Sequence, residues 1–452
     1  MGTLASQPYL DSFINHEIHL GQVQPSNFRL DRVQQLLKEI GNPQEGLKVV
    51  HVAGTKGKGS VCAIISNILR HAGHTVGLYT SPHINNYRER IRVLEPTQTL
   101  EVRAGGDIFP DCISEQELCA AIDEIKPAVE KVQACADSGS ISFFEVYTVL
   151  AIYYFRKRSV DFVVLETGMG GRLDATNTVE SIIAVITPIS LEHTRILGAT
   201  TAEIAEEKAG IIKNSKQKVV IAPQTPEVKD VLGKRCQTFH IEPLHVESTV
   251  TYNKISQNID GQTFDLTTAR AAYKRISLPL IGKHQRENAA TSICAIECLQ
   301  SAGYKISAEA IRTGCENIFW PGRLEVAGRD PVVLLDGAHN PASAKVLSET
   351  VREIFGGKKI ILVLGVSKDK NKDAIYEELR NISREIILTK ANHPRAAALD
   401  GAVDVAAALK RAKRAASSSD IILVTGSIFV VSEARDILLN GKREDRKLKI
   451  EC

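Results

Sequence analysis

Two hydrophobic patterns alternate along this chain. Short runs rich in β-branched residues, such as Val49-Val50-His51-Val52 and Val160-Asp161-Phe162-Val163-Val164-Leu165, have the length and make-up of buried strands. Between them, apolar residues recur at three- and four-residue spacing. Val61, Ile64, Ile65, Ile68 and Leu69 are an example, and they share one helical face. The pattern predicts strands at 49–52, 75–79, 160–165, 182–186 and 219–221. It predicts helices leading from Phe28 to Ile40, and at 61–71, 114–131, 143–156, 200–208, 285–302 and 307–317. Ser114 with Glu117 three residues on is a capping box. Residues 245–280 are rich in Thr and Ser and alternate, which predicts an antiparallel ribbon. The Gly/Pro-spotted stretch 95–112 reads as a flexible loop, and the charge run 442–449 as a solvated tail.

Trp320-Pro321-Gly322-Arg323 interrupts the pattern, and strand–helix alternation then restarts. Strands are expected at 332–335, 360–364, 385–388 and 421–424, with helices at 341–354, 371–381 and 403–414. This predicts a second, smaller parallel sheet covered on both faces. The expected domains are therefore 1–325 and 326–452.

Chemistry gathers where strands end. Strand 49–52 runs into Gly54-Thr55-Lys56-Gly57-Lys58-Gly59-Ser60, and a helix follows. Glycines let backbone N–H groups turn inward, the helix N-terminus adds partial positive charge, and Lys58 adds a full one. A triphosphate fits that field. The spacing is shorter than the common P-loop, and Gly59 stands where Ser or Thr usually follows the lysine. A ligand-free glycine turn would share the spacing; two lysines in so short a turn favour phosphate. Strand 160–165 ends at Glu166, a carboxylate placed to hold hydrated Mg²⁺ on a nucleotide or simply to sit satisfied at a strand edge. His193 follows strand 182–186, and the polar loop from Thr80 to Arg90 follows strand 75–79. In open α/β sheets this is the side where ligands bind. By composition alone Lys208 is an ordinary solvated lysine.

Composition narrows the classes. The 452 residues are 43% hydrophobic, enough for two or three cores, and the net charge of +3 gives no case for nucleic acid or a membrane surface. No apolar stretch reaches the roughly 18–20 residues of a membrane span, and the N-terminus lacks a signal pattern, so a cytoplasmic protein is expected. Nine cysteines occur without a C-x-x-C, so they read as buried thiols rather than a zinc ribbon; Cys294 and Cys298 share a helical face but do not suffice for a metal.

Taken together, segments 54–60, 80–90, 166–177, 191–198, 207–213, 284–289, 321–323 and 336–341 resemble the folylpolyglutamate synthase/dihydrofolate synthase family of the Mur ligase superfamily, in the family's order. The resemblance implies an α/β fold: a P-loop-type, mainly parallel sheet ATPase domain, then a smaller Rossmann-like α/β domain. It implies ATP- and Mg²⁺-dependent addition of L-glutamate to dihydropteroate and to tetrahydrofolate or its polyglutamates, through an acyl phosphate. Two Mg²⁺ ions, and K⁺ as a further cation, go with that chemistry. By the same resemblance Gly57, Lys58, Gly59 and Ser60 hold the ATP phosphates, and Asn288, Arg323 and Asp336 also contact the nucleotide. Ser81, Glu166, His193 and Lys208 look like metal ligands, Lys208 as a carbamate. Phe28, Ser142, Leu173, Asp174 and Ala175 look like the pterin side. Lys58, Lys208 and His339 are the expected catalytic residues. Asp336, His339 and Ser343 are candidates for orienting the incoming amine, and His393 and Arg395 for a glutamate carboxylate. A monomer acting on small molecules, without nucleic-acid or membrane partners, is implied.

Some positions depart from the family pattern. Thr167-Gly168-Met169 follows Glu166 where Val-Gly-Leu or Val-Gly-Ile is commoner, and Ser142 replaces a common Thr but keeps its hydroxyl. Glu206-Glu207-Lys208-Ala209-Gly210-Ile211 has the bacterial form, which favours a bifunctional enzyme. A monofunctional folylpolyglutamate synthase, another Mur-type amide ligase and a nucleotide-binding switch protein are the competing readings.

Overall fold

The computed structural model describes residues 6–17, 27–96, 108–135 and 140–439. The charge run 442–449 and most of the loop 95–112 lie outside these residues. The chain divides into two compact units. The first comprises Met1–Ile255, Thr263–Leu278 and Gln285–Ile318; the second comprises Ser256–Gln262, Pro279–His284 and Phe319–Cys452.

The first unit is built on seven strands: β1 (Val49–Ala53), β2 (Val76–Tyr79), β3 (Ile91–Leu94), β4 (Phe162–Glu166), β5 (Ser181–Ile186), β6 (Lys218–Ile221) and β7 (Leu244–His245). Their order is β3-β2-β4-β1-β5-β6-β7. β1 lies between β4 and β5, pairing parallel with both, so the strand before the glycine loop is central. Every residue of β1 and β4 is buried, which is why both read as apolar runs, broken only by His51 in β1 and the terminal Glu166 in β4. β3 was not foreseen. It runs antiparallel beside β2, and Arg92 within it is buried by a two-pronged bond to Asp111 at 2.7 and 2.8 Å. Helices Leu30–Glu39, Glu115–Gln133 and Phe143–Lys157 contribute the core that covers one face. Helices Thr201–Ala209 and Pro226–Thr238 contribute to a second core against β5 and β6. The predicted ribbon is a three-stranded sheet of β8 (Thr251–Asn258), β9 (Gly261–Thr267) and β10 (Ala272–Leu278).

The second unit holds β11 (Glu325–Arg329), β12 (Val332–Leu335), β13 (Ile360–Leu364), β14 (Glu385–Lys390), β15 (Val403–Asp404) and β16 (Ile421–Thr425), in the order β11-β12-β16-β13-β14-β15. Two apolar clusters pack against this sheet. The sheet is not wholly parallel as expected: β11 pairs antiparallel with β12. Only Asp330 and Pro331 connect these strands, too short a link for a parallel crossover. Among the described residues no helix is long and apolar enough to cross a membrane.

Candidate active site

The glycine loop is shaped by contacts on both sides. Gly54 has φ +146°, and a Cβ there would lie 1.9 Å from Thr187 Oγ1. Gly57 has φ +83° and begins the helix Lys58–His71; a Cβ there would lie 2.4 Å from Asn288 Oδ1. Neither position admits a side chain. The N–H groups of Thr55 and Lys56 donate to Pro188 O at 3.0 and 3.2 Å. Thr55 Oγ1 donates to Ser190 O and accepts from Ser190 N–H. The loop after β1 is thus fastened to the loop after β5. Lys58, Gly59 and Ser60 form the first helical turn, whose N–H groups lack helical partners and suit an anion.

Charge collects around that loop. Glu166 ends β4 and is 5% exposed. Its Oε2 accepts from Ser81 N–H at 3.1 Å, and its Oε1 stands 3.9 Å from Lys58 Nζ. Ser81 is carried by a loop that Glu89 gathers, accepting N–H groups of Ile84, Asn85 and Asn86. Lys208 lies buried at the end of the helix Thr201–Ala209, and its Nζ donates to Gly54 O at 2.7 Å. Burial first, and the Lys58 charge second, push its pKa down to about 7, while Glu192 and Asp174 pull the other way. His193 has φ +50°, and its Nε2 is 4.0 Å from Glu192 Oε1.

These groups fit Mg²⁺ unevenly. It takes oxygen ligands, usually one or two carboxylates with substrate phosphates and water. Glu166 with the neighbouring Ser81 hydroxyl suits that description. Lys208 as an ammonium does not, since it repels a cation; as a carbamate it would. Among the described residues no three acidic, imidazole or thiol groups form a ready-made cage.

The residues expected on the pterin side are linked. Arg32 donates from Nε to Glu145 Oε1 at 2.7 Å and from Nη2 to Asn27 O, the neighbour of Phe28. Glu145 Oε2 accepts both the N–H and the hydroxyl of Ser142, at 2.8 and 2.7 Å. In return Ser142 Oγ accepts Glu145 N–H, and so caps the helix Phe143–Lys157. Ala175 packs in the same core as Phe143 and Tyr147. Asp174 is buried and caps the turn Ala175–Thr178, with Leu173 half-buried beside it.

In the second unit Asp336 is held by its own backbone. Its two oxygens accept Leu324 N–H and Ala338 N–H, both at 2.9 Å. Burial pushes its carboxyl above the ordinary range, and Arg323 is the first of the groups drawing it back. Arg323 Nη1 donates to Gly322 O at 3.0 Å. His339 Nδ1 lies 2.8 Å from Gly337 O, so that nitrogen carries a proton. Ser343 Oγ accepts the N–H groups of His339 and Asn340, and Asn340 caps the helix Pro341–Phe355 by accepting Ser343 N–H. The His393 ring stacks on Phe429 with centroids 3.5 Å apart, and Arg395 Nη2 donates to Asp369 Oδ1 at 2.9 Å. A shallow groove lined by Lys229, Lys234, His245 and Glu247 lies near the edge strand β7, away from the glycine loop.

Known proteins place this arrangement. Residues 130–296 match the Mur ligase middle domain, and residues 322–428 match the Mur ligase glutamate ligase domain. The Bacillus subtilis dihydrofolate synthase/folylpolyglutamate synthase is 37% identical over 423 residues, covering 90% of this chain and 94% of that one. The chain belongs to the folylpolyglutamate synthase/dihydrofolate synthase family. Within the family, the solved Mycobacterium tuberculosis folylpolyglutamate synthase complexed with ADP is 30% identical, with a TM-score of 0.84 over 96% of this chain and 98% of that one. A solved FPGS–AMPPCP–folate complex is 28% identical, with a TM-score of 0.82 over 97% of this chain and 100% of that one.

For a member of this family, the structure brings Lys58, Ser81, Glu166, Lys208 and Asn288 to one sheet edge in the first unit. Arg323, Asp336 and His339 share a loop cluster in the second. Sequence reasoning missed Arg32, which ties the Phe28 segment to Ser142, and the Thr55–Ser190 fastening. It also passed over His51, although one imidazole among valines is a visible signal in a strand buried on both faces.

Proposed function

We propose that this chain is an ATP-dependent carboxylate–amine ligase that joins L-glutamate to dihydropteroate and to tetrahydrofolate or its polyglutamates. A carboxylate is a poor electrophile. Its oxygen attacks the γ-phosphorus of ATP, the bond to the bridging oxygen breaks, and ADP leaves. The resulting acyl phosphate is attacked by the glutamate amine. A tetrahedral intermediate forms, the amine loses its proton, and phosphate departs with the amide made.

Phosphoryl transfer depends on charge neutralisation and in-line placement. In this reading Gly57, Lys58, Gly59 and Ser60 hold the phosphates, with Asn288 against Gly57 keeping the loop in shape. Arg323 and Asp336 are further nucleotide contacts. Phe28, Ser142 and the Leu173–Ala175 segment take the pterin. Residues 1–325 serve as the ATPase domain with the pterin site, and 326–452 as the glutamate-ligase domain, where His339 helps orient the amine. Ser81, Glu166, His193 and carbamylated Lys208 would hold two Mg²⁺ ions, which would offset the charge on the β- and γ-phosphates. Lys208 suits carbamylation because only a neutral amine attacks CO2, and its pKa near 7 leaves much of it neutral at working pH.

The observation that carries this reading is a glycine loop whose lysine faces a buried strand-end carboxylate across 3.9 Å, in a chain of this family. ADP release tests it, with dihydropteroate or tetrahydrofolate, each with and without L-glutamate. Release that needs both a folate acceptor and glutamate is expected. Nucleotide binding without glutamate-dependent ADP release would leave a binding protein and sink the ligase. Use of only one acceptor would reduce it to a monofunctional enzyme.

A further inference from the structure

His51 lies in the middle of β1, three residues before Gly54, and is fully buried. Its Nε2 is 2.8 Å from Thr176 Oγ1. The Thr176 hydroxyl is in turn 2.5 Å from Asp174 Oδ1. That oxygen also accepts Thr176 N–H at 3.0 Å, and Asp174 Oδ2 accepts Met169 N–H at 2.8 Å. Burial raises the Asp174 carboxyl above its ordinary range, and the Thr176 hydroxyl and the backbone N–H groups draw it back. Two oxygens that each accept a backbone N–H suit the anion, and an anion can only accept. The single hydroxyl proton of Thr176 therefore points to Asp174. Its oxygen is left to accept, so His51 must donate from Nε2. The order of donors fixes one neutral tautomer, Nε2–H. His51 Nδ1 is buried without a hydrogen-bond partner among the described residues, as suits a bare lone pair better than a buried N–H.

We propose that His51 is a positioning residue for the acceptor: through Thr176 and Asp174 it braces the Leu173–Ala175 segment and the Gly168–Met169 turn against the strand that enters the phosphate loop. This rests on the assignment of that segment to the folate acceptor. His51 touches no substrate. Burial, with the Lys213 charge behind it, pushes its pKa down to about 3, so the brace stays neutral throughout the working range.

Steady-state kinetics with dihydropteroate, joined to imidazole ¹⁵N NMR on the ligand-free protein, tests the brace. His51→Leu is expected to raise the KM for dihydropteroate about tenfold while the KM for ATP moves less than about twofold. His51→Gln keeps a donor at that reach and is expected to recover most of the loss. Thr176→Val should lose at least as much as His51→Leu, because it also removes the hydroxyl bond to Asp174, and the double variant should be no worse than Thr176→Val alone, because the His51 connection runs through that hydroxyl. The NMR shifts should report the Nε2–H tautomer. Equal movement of both KM values, multiplying effects in the double variant, or no rescue by glutamine would overturn the proposal. The Nδ1–H tautomer would overturn the brace alone. Wild-type protein that releases no ADP with any folate acceptor would instead overturn the functional reading, and the acceptor role would go with it.

Discussion

The two sheets both end in polar loops, yet those loops treat charge in opposite ways. Around the first sheet's glycine turn stand Lys58, 3.9 Å from Glu166, and a buried Lys208 bonded to a backbone carbonyl. Lys56 sits beside them, its pKa lowered by burial and drawn back by Glu192. In the second unit Asp336 is satisfied by two backbone N–H groups, Asp369 pairs with Arg395, and Asn340 caps a helix. Buried like charges raise free energy until an opposite charge arrives. In the proposed function the first edge receives the polyanion. The second is settled within its own loops.

Four substitutions or titrations bear on this contrast. The largest effect is expected from Lys58→Ala: about a 10³-fold fall in kcat, with the fold intact by circular dichroism. An activity within tenfold of wild type would erase the distinction between the edges. Lys208→Ala should lose about 10²-fold, and formate or acetate should restore part of it by replacing the carbamate oxygens. Full activity in this variant would refute a carbamate role. Asp336→Asn puts an N–H where a backbone N–H now finds an acceptor, so stability should fall by about 1–3 kcal/mol in a urea titration. Unchanged stability would show that the second edge is less self-contained than its hydrogen bonds imply.

The subtlest effect is a pH slope. Lys208 titrates near 7 when folded and at its ordinary 10.5 when unfolded. Between those values the unfolded chain binds the extra proton, so stability rises with pH from about 7 to about 10. In CO2-free buffer Lys208→Met should lack that rise, which cannot exceed about 1.4 kcal/mol per pH unit for one proton. Identical slopes would mean that Lys208 is not under strain.

Much of this molecule was legible in the chain. β1, β4, β12 and β13 announce themselves because strands buried on both faces are mostly apolar. The capping box at Ser114 marks a true helix start, since first-turn N–H groups need acceptors. β3 was hidden because Arg92 interrupts its apolar run, and the Asp111 partner that makes this burial tolerable lies nineteen residues away. The helix Pro226–Thr238 was passed over: Gly233 and a mostly charged surface blur its periodicity. Family motifs placed the candidate residues in loops at the strand ends, but not the bonds of Ser142 to Glu145 or of Ser343 to Asn340.

What the sequence determined by itself was local and chemical: which runs are strands, where glycine must stand, and which charged groups end up beside them. Those follow from backbone sterics and from the cost of burying polar groups, both of which act within a few residues. Only the tertiary structure decided that β1 lies between β4 and β5, that Lys208 reaches Gly54 O, and that His51 meets Thr176. Each of these joins residues far apart in the chain. Their proximity is set by the packing of whole elements, and no local pattern encodes it.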